Sequence, residues 1–385
     1  MKYIILRNPR QSKGAVSFRG DASESPELPD IEVADISAKE GRDLARDPKV
    51  RELAPQMPIR LIQSRGSSAV NEDGDSWGIA AVRADVSAFT GAGTKVAVLD
   101  TGIDREHPAF TGMDIEERDF SGCGNGDKDG HGTHCAGTIF GRDVDGSRIG
   151  VARGVQHALI GKIFGDDLQG SSEAIVNGIT WALDKEAQVI SMSIGFDFPR
   201  MVDTLIGLDW PKEAAYSFVI EAYRKNLRMF DSLMANNRAR GAFGSGCVVV
   251  VAAGNESNRG GNPEYEVAAS LPAAAEGVLS VGALSPSPGG YTIASFSNTL
   301  PKVCAPGTRI KSAYPDGGLH TMCGTSMACP HVAGIAALWW EKLSTMPVHA
   351  NANMVVSRID ANCRIEGLAP GMDPAVYGSG LVTAP

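Results

Sequence analysis

The chain has 385 residues, 43% hydrophobic and 21% charged, an ordinary globular composition. Single cores stop growing at roughly 250–300 residues, so this length allows one large domain plus something small. A net charge of −9 argues against nucleic acid as the main partner, because phosphate binding needs clustered Lys and Arg, and simply aids solubility.

The apolar run at the N-terminus, Tyr3–Leu6, is shorter than a signal-peptide core of roughly 7–15 residues. No stretch approaches the roughly 20 apolar residues that span a bilayer. The expectation is a cytoplasmic chain with no membrane partner, secretion by a non-classical route being the alternative. Residues 1–64 begin with a strand, Lys2–Leu6, followed by a polar stretch to about Pro29. Ile31–Ile36 alternates as a half-buried strand, and Lys39–Leu53 reads as a helix with acid early and Lys49 and Arg51 late. Pro58–Gln63 reads as another strand. Together these make a small α+β unit, too small for a large core of its own. Residues 65–76 are polar and rich in Gly, Ser and Asp, an exposed linker.

From Trp77 to residue 385 apolar strands alternate with helices. Lys95–Leu99, Val189–Ile194 and Cys247–Ala253 read as strands; Glu173–Asp184 and Met327–Trp340 read as helices. This order predicts an α/β domain with a parallel sheet covered on both faces. Residues 198–243 form an insertion with a long helix from Glu213 to about Arg240. Its apolar residues Phe218, Val219, Tyr223, Leu227, Phe230 and Leu233 predict one face packed on the body, with a cleft rim or partner surface as the functional alternative.

Four segments carry chemistry: Val96–Asp104, Asp129–Thr138, Val248–Ser257 and Gly324–Gly334. Each places a polar group after a strand or at a helix start, and strand C-terminal ends in a parallel sheet face one crevice. Asp100, His131, Asn255 and Ser326 are the parts needed for acyl transfer through a serine nucleophile. Serine needs a base beside it; histidine titrates near 6.5, and a carboxylate fixes its tautomer. The Ser326 amide at a helix start and the Asn255 side chain suit a developing oxyanion. Pro330 is expected in the first turn of that helix, where a missing N–H costs little.

These blocks, VAVLDTGID, HGTHCAGT, AAGN and GTSMACPHVAG, resemble the signature blocks of the subtilases in their order Asp…His…Asn…Ser. YGSGLVTA near the C-terminus is similar to the family's closing motif, and the cysteine in HGTHCAGT leans towards the proteinase K branch. The resemblance implies a serine endopeptidase acting on protein or peptide substrates through an acyl-enzyme. It makes Asp100 the orienting acid, His131 the base, Ser326 the nucleophile, and Asn255 with the Ser326 amide the oxyanion hole. His134 is then structural. Ser193, Ile194 and Gly195 would pair with the substrate backbone, and Ala252, Ala253 and Gly254 would form the opposite wall of the primary pocket. Glu256 would favour a basic residue directly before the cut bond, or else be a solvated acid at the rim.

The chemistry requires no cofactor. Calcium is the candidate the resemblance raises, yet Lys302 stands where many subtilases carry an aspartate before APG, so that site is expected to be empty. Asp143 and Asp145 are weak evidence for another. Residues 1–64 resemble a shortened prodomain, with the match in Ile31–Gln63 and the usual first helix missing. This makes the segment an intramolecular inhibitor of a zymogen cut within the linker, with a permanent accessory domain as the alternative. The seven cysteines contain no CxxC pair, arguing against a zinc or redox motif and for a reducing compartment. Cys135, Cys323 and Cys329 fill space near the catalytic blocks, although Cys135 raises the prospect of mercurial sensitivity. Two other readings are a processing protease of narrow range using the insertion, and a non-catalytic binding module.

Overall fold

The computed structural model describes residues 1–8, 26–62, 67–68, 77–242 and 246–385. The first elements make a small antiparallel sheet. Strand β1 (Lys2–Arg7) lies between β2 (Asp30–Asp35) and β3 (Val50–Pro55). Helix α1 (Ala38–Leu44) joins β2 to β3 and starts with a capping box. Ser37 accepts from the Glu40 N–H, and the Glu40 carboxylate accepts from the Ser37 N–H. The helix expected to reach Leu53 therefore ends nine residues early. Pro48 disfavours helical backbone before it, and Val50–Pro55 gains a full ladder with β1. The polar stretch where the missing first helix would fall lies largely outside the described residues.

Strand β4 (Pro58–Leu61) leaves this unit and runs onto the body. The body's sheet takes in β5 (Lys95–Asp100), β6 (Asp114–Asp119), β7 (His157–Lys162), β9 (Val189–Met192), β11 (Val248–Ala252), β12 (Leu279–Ser287), β13 (Gly290–Ile293) and β14 (Val303–Pro306). Its order is β13-β12-β11-β9-β5-β7-β6, with β14 also on β12. All pairs are parallel except β12 with β13.

Apolar residues alternate between the two sides of this sheet. Val96, Val98, Val248 and Val250 join the cluster containing helices α2 (His131–Phe140) and α6 (Thr325–Ser344). Ala97, Leu99, Val249 and Val251 join the cluster containing α3 (Ser172–Asp184) and α5 (Lys212–Gly241). Both faces are covered, which is why these strands read as unbroken apolar runs. A fully buried aliphatic side chain of this kind contributes roughly 1.5–3 kcal/mol on leaving water.

The insertion folds as α4 (Phe198–Gly207) and α5; residues 243–245 lie outside the described set. Helix α5 packs against β3 of the N-terminal unit. Asn226 Nδ2 donates to the Pro55 carbonyl at 2.9 Å, and Ser232 Oγ donates to Glu52 at 3.1 Å. Ile4, Leu6, Ala54 and Met57 share one apolar cluster with Val219, Phe230 and Leu233 of this helix. One face of the insertion thus meets the chain's own N-terminal unit, while Leu208, Tyr216 and Ile220 are exposed.

Candidate active site

Three strands of the parallel sheet deliver their C-terminal ends to one crevice. Strand β5 ends on Asp100, β9 leads into Ser193, and β11 leads into Asn255. Helix α2 begins on His131. Thr101, Gly132 and Thr133 are tied together by Asp127, whose carboxylate accepts from both threonine hydroxyls at 2.9 and 2.6 Å. Gly132 has no room for a side chain, because a Cβ there would strike the Gly102 carbonyl. Asp127 was not singled out in the sequence, although it stands two residues before the DGHGTH block.

His131 Nδ1 lies 2.8 Å from Asp100 Oδ1, and both residues are about 1% exposed. Burial alone would lower the His131 pKa, but the charge of Asp100 and its hydrogen bond outweigh it, leaving the pKa well above the ordinary 6.5. His134, one turn on, behaves oppositely. It is buried and bonded through Nε2 to the Ile310 and His320 carbonyls, and burial lowers its pKa to about 3. It is a neutral packing residue, as expected.

Ser326 is the second residue of α6, so its amide is among the N–H groups with no intrahelical acceptor. Pro330 lies deeper than expected, in the second turn of the helix. The reason it is tolerated is specific: its absent N–H would have served the carbonyl four residues back, that of Ser326. That carbonyl instead accepts from Ser193 Oγ at 3.3 Å and Cys135 Sγ at 3.4 Å. Asn255 Oδ1 accepts from the Thr325 N–H and hydroxyl, both at 2.9 Å. These bonds fix which end of the amide is NH₂, so Nδ2 serves as the donor.

The crevice holds the chain's own β4. This strand pairs antiparallel with β10 (Ile194–Phe196) on one side and β8 (Gly170–Ser171) on the other. Leu61 is opposite Ile194, Arg60 opposite Gly195, and Ile59 opposite Phe196. The ladder continues as the Ile62 N–H donates to the Ser193 carbonyl at 3.3 Å. Gly170 is glycine because a Cβ there would meet Ile59 at 2.7 Å. At the end of the strand, Ser326 Oγ donates to the Ile62 carbonyl at 2.8 Å. Among the described residues, no hydrogen-bond partner meets the buried His131 Nε2.

A subtilase-family model matches residues 91–380 of the chain. The chain belongs to the subtilase family. A thermostable alkaline protease of Halalkalibacterium halodurans is 30% identical, the match covering 100% of this chain and 91% of that protein. Subtilisin-like serine protease Pen c 1 of Penicillium citrinum is 30% identical over 79% of this chain and 68% of its own length. The major intracellular serine protease of Bacillus subtilis is 33% identical over 64% of this chain and 68% of its own. The protein is accordingly a subtilisin-like serine endopeptidase, a hydrolase acting on peptide bonds.

The substrate-side residues expected of this subtilase lie around the same crevice. Ile194 and Gly195 of β10 lie opposite Leu61 and Arg60 of β4, and the Ser193 carbonyl accepts from the Ile62 N–H. Ala252, Ala253 and Gly254 run from β11 into Asn255, with the Gly254 N–H held by Thr325 Oγ1 at 3.1 Å. Glu256 pairs with Arg60, two residues upstream of Ile62, at 2.9 Å. Its carboxylate also accepts from Asn298 Nδ2 at 2.6 Å, a support too distant in the chain for a local motif to signal. The Lys302 N–H donates to Ser280, and its carbonyl accepts from the Ser379 N–H. Asp143 pairs with Arg153 at 3.1 Å. Cys135 and Cys329 are buried, Cys323 is half-buried, and all seven cysteines are free thiols. Most of the linker 65–76 lies outside the described residues; Ser67–Ser68 pairs with Thr321 and Met322. No described helix is long and apolar enough to cross a membrane.

Proposed function

We propose that the chain is a zymogen whose residues 1–62 form an inhibitory prodomain, and that it cuts itself after Ile62. The observation that carries this is the contact of Ser326 Oγ with the Ile62 carbonyl at 2.8 Å, at the end of a strand held in register on both sides. The linker at 65–76 begins beyond that carbonyl.

In this reading Ser326 Oγ attacks the Ile62 carbonyl carbon and passes its proton to His131 Nε2. Asp100 holds the ring and stabilises the imidazolium, consistent with the raised pKa of His131. The negative oxygen is received by Asn255 Nδ2 and the Ser326 N–H. The C–N bond after Ile62 breaks, His131 returns the proton to the leaving amine, and Ile62 remains as an ester on Ser326. Water, deprotonated by His131, then releases Ile62 as a carboxylate. Other protein or peptide substrates enter along the same edge of β10 once residues 1–62 leave. Calcium is not needed for any of these steps, and the Lys302 position is proposed to bind none.

Purified wild-type protein is expected to lose its N-terminal unit while Ser326→Ala stays full length. Retention of the unit by an active wild-type enzyme would instead make it a permanent accessory domain.

A further inference from the structure

Arg60 is half-exposed between buried neighbours in β4. Ile59, Leu61 and Ile62 are 0%, 6% and 3% exposed, while the Arg60 side chain is 36% exposed and reaches Glu256. Glu256 is not a loose rim acid. Its Oε2 accepts from Asn298 Nδ2 at 2.6 Å, and its own N–H donates to Asn298 Oδ1 at 3.0 Å. Asn298 is 1% exposed and is fixed further by donating to the Ala253 carbonyl at 3.2 Å and accepting from the Ser257 N–H at 3.1 Å. One carboxylate oxygen is therefore clamped, and the other, Oε1, is presented to Arg60 at 2.9 Å. The surrounding cleft, about 580 Å³, is lined also by Asp167 and Asp197, with Arg200 as the opposing charge.

We infer that Glu256 is a specificity-determining residue which selects substrates with a basic residue two positions upstream of the residue that donates the cleaved carbonyl, in peptides ending on an aliphatic residue at that bond. This rests on the reading that β4 marks the substrate's path. Register supports the assignment: Arg60 is opposite Gly195, which presents no side chain to interfere, and neighbouring strand residues face the other way. An acidic residue in that place would meet Glu256, Asp167 and Asp197 across the cleft, where like charges oppose binding. Asn298 acts as a positioning residue by holding the carboxylate in one rotamer before substrate arrives, so less ordering is lost on binding.

The test uses the processed enzyme and three internally quenched peptides containing Ile-Xaa-Leu-Ile before the cut bond, with Xaa as Arg, Gln or Glu. The expected order of kcat/KM is Arg, then Gln, then Glu, with steps of about three- to tenfold for a partly exposed ion pair. Added salt compresses the steps. Glu256→Gln should bring the Arg and Gln peptides together, and Glu256→Arg should reverse the order. Asn298→Ala should narrow the Arg-to-Glu ratio without reversing it. Equal rates for all three peptides on wild-type enzyme overturn this inference alone, as does an unchanged ratio in Glu256→Gln. Failure to cut any of them after the aliphatic residue overturns the proposed path of β4 as well.

Discussion

The body and the N-terminal unit bury their apolar residues in different ways. The body wraps a parallel sheet between helices, so Val98, Val250 and Ile139 are enclosed by elements of the same domain. Among the described residues, the side chains of Ile4 and Leu6 in the N-terminal sheet share a cluster with Phe230 and Leu233 of α5 rather than with a layer of the unit's own. A three-stranded sheet of this size folds only marginally without such cover. The body can therefore persist after the unit departs, whereas the unit depends on the body. That asymmetry suits a segment that is held in place and then discarded.

The largest effect that sharpens the comparison is chemical. Ser326→Ala should lower kcat by about 10⁶-fold, as loss of a triad nucleophile does, while keeping the two parts covalently joined. Asn255→Ala should lower kcat by roughly 10²–10³-fold with little change in KM, read with a chromogenic peptide. If KM rises instead, Asn255 acts on bound substrate and not on the oxyanion.

Packing comes next. Ile4→Ala should cost about 2–5 kcal/mol of the N-terminal unit's docking and hasten its loss. The specific activity and melting temperature of the processed enzyme should not change. Val250→Ala should lower the melting temperature of the processed enzyme itself. Equal effects of both substitutions on the processed enzyme would break the distinction between the parts.

The pH predictions are smaller and of two kinds. Catalysis needs neutral His131, and a raised pKa means that the acid limb of the kcat/KM profile should lie above pH 6.5. Stability depends instead on His134 and His331, whose pKa values burial lowers to about 3 and about 4. The unfolded chain binds those protons near pH 6.5 and the folded one does not, so stability should be full above pH 6.5. It should fall as pH drops through about 4 and 3. Thermal melts of Ser326→Ala across this range check it; a flat profile would contradict the assignment of neutral buried imidazoles. The smallest effect is at Cys135, whose Sγ is 3.8 Å from His131 Nδ1 and whose thiol pKa is raised, mainly by burial. Excess mercurial should partly inactivate processed enzyme, and unchanged activity would show the thiol to be inaccessible.

Much of the body was legible because each catalytic group follows a strand end or opens a helix, where short motifs record local backbone. Asp100, His131, Asn255 and Ser326 converge for that reason. What was not legible depends on residues far apart in sequence. Helix α1 was read through to Leu53 because Arg51 and Lys49 suit a helix end; only pairing with β1 favours a strand there. Pro330 was placed one turn early, hiding that it frees the Ser326 carbonyl for Ser193 and Cys135. Glu256 was assigned to the residue before the bond because it follows Asn255. Its ion pair with Arg60 follows from the register of β4 on Gly195, which no local motif encodes.

In the proposed self-cleavage, Ile62 supplies the carbonyl that Ser326 attacks. This step is tested most directly by sequencing the new N-terminus of purified wild-type enzyme, with Ser326→Ala as control. The expected product is a mature chain starting at Gln63, with no such species from Ser326→Ala. A first cut within residues 65–76, or the same product from Ser326→Ala, would contradict it.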